Sequence, residues 1–353
     1  MTLLLAILMI GILVIVHEWG HFAASRLLGI PVMEFSMGMG PKLWQKKGKH
    51  GTQYTLRLIP FGGYCAYYAD EAEDGAGTPR SYYSQKAWKR LVASLMGPVM
   101  NFLLAFLVAA LFLWIGGVRQ PTGYTPYIVE VEGAGPAYFA GLKDGDLIVS
   151  INSTNLENRQ DDVMSGVIAS YGETGEPLQV TVRRGDELLE KSVTPFYDEQ
   201  LQRYRMGITT GGVYSWETAR VSFGESITLA ANACWNAGTL ILTTLRDLVT
   251  TGKGAESAMG PVGTVGAINS QIQTGGAESF FNLLVVLSIN LGIFNLLPIP
   301  GLDGSKALFL LIEIIRRKPI DPEKEARVHL FGYILLLGLM LFLTFSDVMR
   351  LMK

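Results

Sequence analysis

His17-Glu18-Trp19-Gly20-His21 directly follows an apolar run, Leu3 to Val16. Residues four apart on a helix share a face, so both imidazoles reach one metal ion while Glu18 sits beside it. Groups of this kind are costly inside a membrane helix unless they are put to use. The run reads as a retained helix and not as a signal peptide. It lacks a charged n-region, and no secretory cleavage site carries two histidines and a glutamate at the end of its apolar core. A helix that starts in lipid and ends in a metal-ligand motif sets the fold class: a membrane protein with its chemistry inside the bilayer.

The composition agrees. The chain has 353 residues, 49% hydrophobic and 17% charged, with net charge −2 and mean hydropathy +0.29. Average soluble chains carry roughly 25% charged residues. A soluble enzyme, a disordered regulator and a basic nucleic-acid binder all fit poorly, and no nucleic-acid partner is expected. Cys65 and Cys234 are too few for a disulfide scaffold and read as packing residues.

Crossing about 30 Å of hydrocarbon takes ~20 helical residues. Besides the first span, Leu91 to Ile115, Phe280 to Pro298 and Val328 to Phe345 qualify. Orientation follows from lysine and arginine in the loops. Lys42, Lys46, Lys47, Lys49, Arg57, Arg80, Lys86, Lys89 and Arg90 lie between the first two spans, and Lys306, Arg316, Arg317, Lys318, Lys324 and Arg327 between the last two. Both loops are expected in the cytoplasm, with both termini and the segment from about 119 to 277 on the far side.

Within that segment Tyr127 to Val131 alternates like a strand, Gly135 to Leu142 reads as a short helix ended by glycine, and Lys143-Asp144-Gly145-Asp146 is turn chemistry. Leu147 to Asn152 and Leu178 to Arg183 read as strands, the second followed by a hairpin turn at Arg184 to Glu187. Pro136-Ala137 followed by Ala140-Gly141-Leu142 and Gly145-Asp146 resembles a single bacterial PDZ domain of the circularly permuted type, over roughly 122–197. Ser215 to Thr251 looks helical but is interrupted by Glu217, Arg220, Glu225, Asn232, Asn236 and Arg246. It reads as one or two amphipathic helices at the outer membrane surface, with a fifth span as the alternative. Asp70 to Thr78 is an acidic, glycine-rich loop.

A catalytic zinc usually takes three protein ligands and a water, so a third ligand is needed. The best candidate lies in Asn295-Leu296-Leu297-Pro298-Ile299-Pro300-Gly301-Leu302-Asp303-Gly304. Pro298 and Pro300 remove backbone donors and break the helix, which lipid tolerates only where protein or a cavity satisfies the freed groups. Asp303 follows the break at the depth the histidines reach, its alternative reading being a helix N-cap.

The paired motifs, with a PDZ domain between them, resemble the site-2 protease family, and more closely its bacterial RseP-type members, the regulator-of-sigma-factor proteases. The resemblance covers essentially the whole chain. It implies an intramembrane zinc endopeptidase in regulated intramembrane proteolysis, with Zn2+ held by His17, His21 and Asp303 and with Glu18 as general base. Its implied substrates are single-span membrane proteins, namely pre-cleaved anti-sigma factors or remnant signal peptides.

The resemblance implies that Asn295 positions substrate, with a helix-capping or interhelical hydrogen bond as the alternative, and Pro298 and Pro300 beside it are further candidate substrate-binding residues. Gly38 and Gly40 have the spacing of the family's G-x-G loop, with an ordinary turn as the alternative. Tyr54 to Tyr64 reads as a membrane-reentrant β-hairpin, whose edge at Leu56 and Leu58 would pair with an extended substrate by strand addition. Asn101, in Gly97-Pro98-Val99-Met100-Asn101, is a candidate substrate contact or a polar packing residue. The outer domain would exclude substrates with intact ectodomains or bind a C-terminal carboxylate.

The expected fold is therefore a polytopic α-helical membrane protein with four transmembrane helices, an inserted extracytoplasmic PDZ domain of β-rich α+β type and a membrane-reentrant β-hairpin. Its parts are an N-terminal membrane domain (1–118, with the β-loop about 35–65), the PDZ domain (119–200), juxtamembrane amphipathic helices (201–277) and a C-terminal membrane domain (278–353). The expected location is the bacterial cytoplasmic membrane, with the active site near the cytoplasmic side. A non-catalytic PDZ membrane scaffold and a metal transporter are the alternatives. Glu18 argues against the transporter, which needs ligands but no base beside them.

Overall fold

A computed structural model describes residues 2–68, 82–159, 163–254 and 259–351. The acidic stretch 70–78 lies outside these. Two compact units form, one from residues 1–115 and 222–353, the other from 116–221.

The first unit is helical. Among the described residues, four helices are long and apolar enough to cross a membrane: α1 (Thr2–Leu28), α2 (Ala87–Gly116), α7 (Pro261–Leu296) and α9 (Pro322–Leu351). The third is longer than its apolar core at 280–298 suggests. It begins at Pro261, whose fixed φ suits a first helical turn, and bends at Gly276, which takes a left-handed φ of 58°. Ala6, Met9 and Leu13 of α1 pack on Ile268, Ile272 and Leu284 of α7. Ala105 and Ala109 of α2 pack with Ile289 of α7 and Ala230 of α6 (Phe223–Thr251). Small residues at such contacts let helix backbones approach closely. The helix α6 opens on a capping box, in which Ser222 Oγ accepts from Glu225 N and Glu225 accepts from Ser222 N.

Between α1 and α2 lies a hairpin of two long antiparallel strands, β1 (Val32–Lys47) and β2 (Gln53–Tyr67). Each strand is folded on itself. Phe35, for example, faces both Cys65 and Tyr54, and Leu56 faces both Met37 and Trp44. The bend in β1 falls at Gly38 and Gly40, both with φ above +80°, a region that costs an L-residue strain. A Cβ on Gly38 would also lie 2.6 Å from the Ile59 carbonyl. Arg57 holds this bend, donating to Gly40 O (2.8 Å), Ser36 Oγ (3.0 Å) and the Glu34 carboxylate (3.0 Å). The backbone at Leu56 is therefore paired on both sides and is not an edge. The strand-addition role expected for Leu56 is corrected accordingly. Among the described residues, segment 63–67 pairs with β1 on one side only.

The second unit is a six-stranded antiparallel sheet with short helices. Its strands are β3 (Val118–Val131), β4 (Leu147–Ile151), β5 (Thr154–Asn155), β6 (Leu178–Arg184), β7 (Glu187–Val193) and β10 (Ile208–Ala219), ordered β10-β3-β4-β6-β7 with β5 on β4. The helices α3 (Pro136–Phe139), α4 (Met164–Ala169) and α5 (Tyr171–Thr174) and a small hairpin, β8 (Phe196–Asp198) with β9 (Arg203–Arg205), complete it. Ile128, Ile148, Ile151, Val180, Val182 and Met206 are buried in one core. Asp146 is buried and takes both nitrogens of the Arg184 fork at 2.7 Å. Burial alone would raise its pKa, but the Arg184 hydrogen bonds and charge outweigh that and hold the carboxyl below its usual range.

Two expectations are corrected here. The domain does not end at 200. β10 pairs along the whole of β3, from Ile208↔Val131 to Ala219↔Val118, so the sheet needs residues up to 219. Nor is 215–222 helical: Ser215 to Ala219 finish that strand, and the helix starts at Phe223.

Candidate metal centre

α1 carries His17 and His21 one turn apart, both buried. α8 (Asp303–Arg316) opens with Asp303 after the break of residues 297–302. From 286 and 282 residues away in sequence, Asp303 Oδ2 comes to 3.0 Å from His17 Nε2 and 3.1 Å from His21 Nε2, and the two Nε2 atoms are 3.3 Å apart. Bonds of about 2.0–2.1 Å to a tetrahedral zinc separate neighbouring ligand atoms by about 3.3–3.4 Å, so this triangle is close to one face of such a tetrahedron. Among the described residues it is the one cluster of three or more such side chains with that spacing.

The outer contacts set which ring nitrogens are free. His21 Nδ1 donates to the Ala93 carbonyl at 2.8 Å, so its Nε2 presents a lone pair. His17 Nδ1 faces the fully buried Asn101 amide at 3.0 Å, whose Oδ1 has no partner among the described residues. With Oδ1 turned to His17, Nδ1 donates to it, the orphaned oxygen is satisfied and the second Nε2 lone pair is also freed. Two lone pairs and a carboxylate oxygen then converge, an arrangement that repels itself unless a cation sits between them. The donor set fits a metal ion.

One stripe of α2 builds this frame. Ala93 O, Gly97 and Asn101 recur every four residues, and Ser94 Oγ donates to the Asp303 carbonyl at 3.2 Å. A Cβ on Gly97 would lie 2.3 Å from His21 Nε2 and 2.9 Å from His17 Cε1. The Arg90 side chain, in the first turn of α2, is paired with Glu313 of α8 at 2.5 Å. Sequence reading passed over Ala93, Ser94 and Gly97 as site residues, although their spacing places them on one helix face.

Glu18 is half-buried on the same turn as His17, beside β2: a Cβ on Gly63 would be 3.3 Å from its Cγ. The remaining candidates are dispersed. Asn101 is committed to His17. Asn295 Nδ2 donates to Leu291 O of its own helix at 3.0 Å. Pro298 and Pro300 lie in the break before Asp303. Gly38 and Leu56 line a largely apolar groove of about 350 Å³ with Ile7, Gly11, Ile15 and Met37, while Leu58 is exposed and Gly40 sits in the bend of β1.

The model of peptidase family M50 matches residues 5–339, which include His17, Glu18, His21 and Asp303. Among similar proteins, one from Nostoc sp. is 32% identical over 99% of this chain and 97% of its own length. One from Agrobacterium fabrum is 31% identical (97% and 94%), and one from Clostridium acetobutylicum 30% (98% and 97%). Each carries the name "putative zinc metalloprotease". With the His17–His21–Asp303 centre inside the matched span and four helices able to cross a bilayer, the chain belongs to peptidase family M50, the site-2 protease family, and is a multi-pass membrane metalloprotease.

Proposed function

We propose that this protein is an intramembrane zinc endopeptidase that cuts single-span membrane proteins, anti-sigma factors already shortened by another protease or remnant signal peptides, in regulated intramembrane proteolysis. The observation that carries it is the closure of His17, His21 and Asp303 into one ligand triangle with Glu18 on the adjoining helical position.

His17, His21 and Asp303 would hold the zinc, with Asn101 and Ala93 fixing the two rings. When bound, zinc supplies Lewis acidity, polarising a carbonyl and acidifying a water near neutral pH. Glu18 takes a proton from the attacking water and gives it to the leaving amine. The groove beside α1, walled by Met37, Gly38 and Leu56, is where an apolar substrate segment lies as it approaches. The singly paired 63–67 segment, with Gly63 next to Glu18, is the edge that receives it once extended.

The loop charges favour both termini and the 116–221 domain on the extracytoplasmic side of a bacterial cytoplasmic membrane. Taking that domain as PDZ-type, its role is to exclude partners with bulky ectodomains. The test uses a tagged single-span peptide with and without a folded ectodomain, incubated with purified protein in detergent, with and without a zinc chelator. Chelator-sensitive cleavage of the short form alone is expected. Chelator-insensitive cleavage would overturn the metal reading, and equal cleavage of both forms the exclusion reading.

A further inference from the structure

The fourth span adds a contact to the metal centre that motif reading does not reveal. The break between α7 and α8 has two prolines without amides, at 298 and 300. Of its other four residues, Leu297, Ile299 and Leu302 donate to the carbonyls of Phe294, Leu297 and Ile299. Gly301, two residues before Asp303, finds a side chain instead: its N–H donates to Nδ1 of His329 on α9, at 3.1 Å. Ser305 Oγ, in the first turn of α8, lies 3.4 Å from the same atom.

His329 is 7% exposed, on a helix whose neighbouring Leu330 and Phe331 are 59% and 68% exposed. The helix is pressed against the break, for a Cβ on Gly332 would stand 2.0 Å from the Pro300 carbonyl. Nδ1 accepts from a backbone amide, so the ring proton is on Nε2, which among the described residues has no hydrogen-bond partner and faces Glu325 Oε1 at 3.7 Å. An imidazole buried in a membrane helix is costly, and a leucine would pack there without that cost.

We propose that His329 is a positioning residue for the metal centre: by accepting the Gly301 N–H it sets the break so that Asp303 meets His17 and His21. The inference rests on the reading of these three as the metal ligands. Without the acceptor, the half-buried Gly301 amide is unmet and the break relaxes away from α9. Outer contacts of metal ligands typically change affinity about 10–100-fold.

The experiment measures zinc affinity of the full-length protein in detergent by competition with a chromophoric chelator, together with the midpoint of thermal unfolding. The variants are His329→Leu, which fills the space without an acceptor, and His329→Asn, whose Oδ1 stands near the position of Nδ1. Asp303→Ala serves as reference. Asp303→Ala and His329→Leu are expected to weaken zinc at least 10-fold, with His329→Asn within about 3-fold of wild type. Wild-type affinity in His329→Leu, or equal loss in the leucine and asparagine variants, would overturn the proposal, the second result by showing that ring packing and not the acceptor matters. Undiminished zinc in Asp303→Ala would instead overturn the ligand assignment, so the two failures are told apart.

Discussion

Asn101 illustrates what a single position in a sequence conveys and what it does not. Its place four residues after Gly97 marks it as a polar group on one face of α2, but whether it meets substrate or protein depends on which helix lies opposite. In the structure it meets His17. Replacing it with leucine of similar size should remove the ring's orienting partner and weaken zinc about 10–100-fold, as read by chelator competition; unchanged affinity would remove it from the site. Gly97 is needed for a different reason. Alanine there would drive a methyl into both imidazoles, so Gly97→Ala should lower zinc occupancy at least 10-fold while leaving helix content unchanged by circular dichroism. The histidine pair was legible because helical periodicity alone places it. Gly97, Ser94 and His329 were not, since nothing local distinguishes a glycine under a ring from any other glycine in a span.

Among elements, the four helices able to span a membrane were read correctly as to number, and their ends were missed where apolarity and helicity part company. The third helix runs back to Pro261 beyond its apolar core, and its start is held from another helix: Asp347 of α9 accepts from Gly263 N at 2.7 Å, acting as an N-terminal cap delivered in trans. Loss of such caps costs ~0.5–2 kcal/mol. Asp347→Ala should therefore lower the thermal unfolding midpoint in detergent, and Asp347→Asn, which keeps the acceptor, should recover most of it. No difference between the two would show that the cap contributes nothing. β10 escaped sequence reading because its partner, β3, lies some 90 residues earlier and its Gly211-Gly212 pair weakens the strand signal. The doubling of β1 and β2 was hidden for a similar reason: alternation from Tyr54 to Arg57 identifies a strand without saying how many neighbours it has.

At the level of the whole molecule the chain divides into a membrane unit and a sheet domain whose buried core, among the described residues, runs from Ile128 to Met206. That core makes residues 116–221 a candidate for independent folding, and the excised segment should unfold cooperatively in solution. Asp146 contributes to its stability against acid. The folded carboxyl lies below the ordinary value of 3.8, so the stabilisation it brings is complete above that value and is lost as pH falls through the lower folded one. Urea unfolding of the segment between pH 7 and pH 2 should show Asp146→Asn less stable than wild type at pH 7, with the gap closing below about pH 4. A gap that persists unchanged at pH 2 would refute the ion-pair explanation.

The assignment on which everything else depends is that the triangle of His17, His21 and Asp303 holds zinc while Glu18 moves the proton. Wild type and Glu18→Gln, purified side by side, should each contain one zinc per chain by elemental analysis, and only wild type should cleave a single-span peptide. Cleavage by Glu18→Gln at the wild-type rate, or active wild type free of metal, would contradict it.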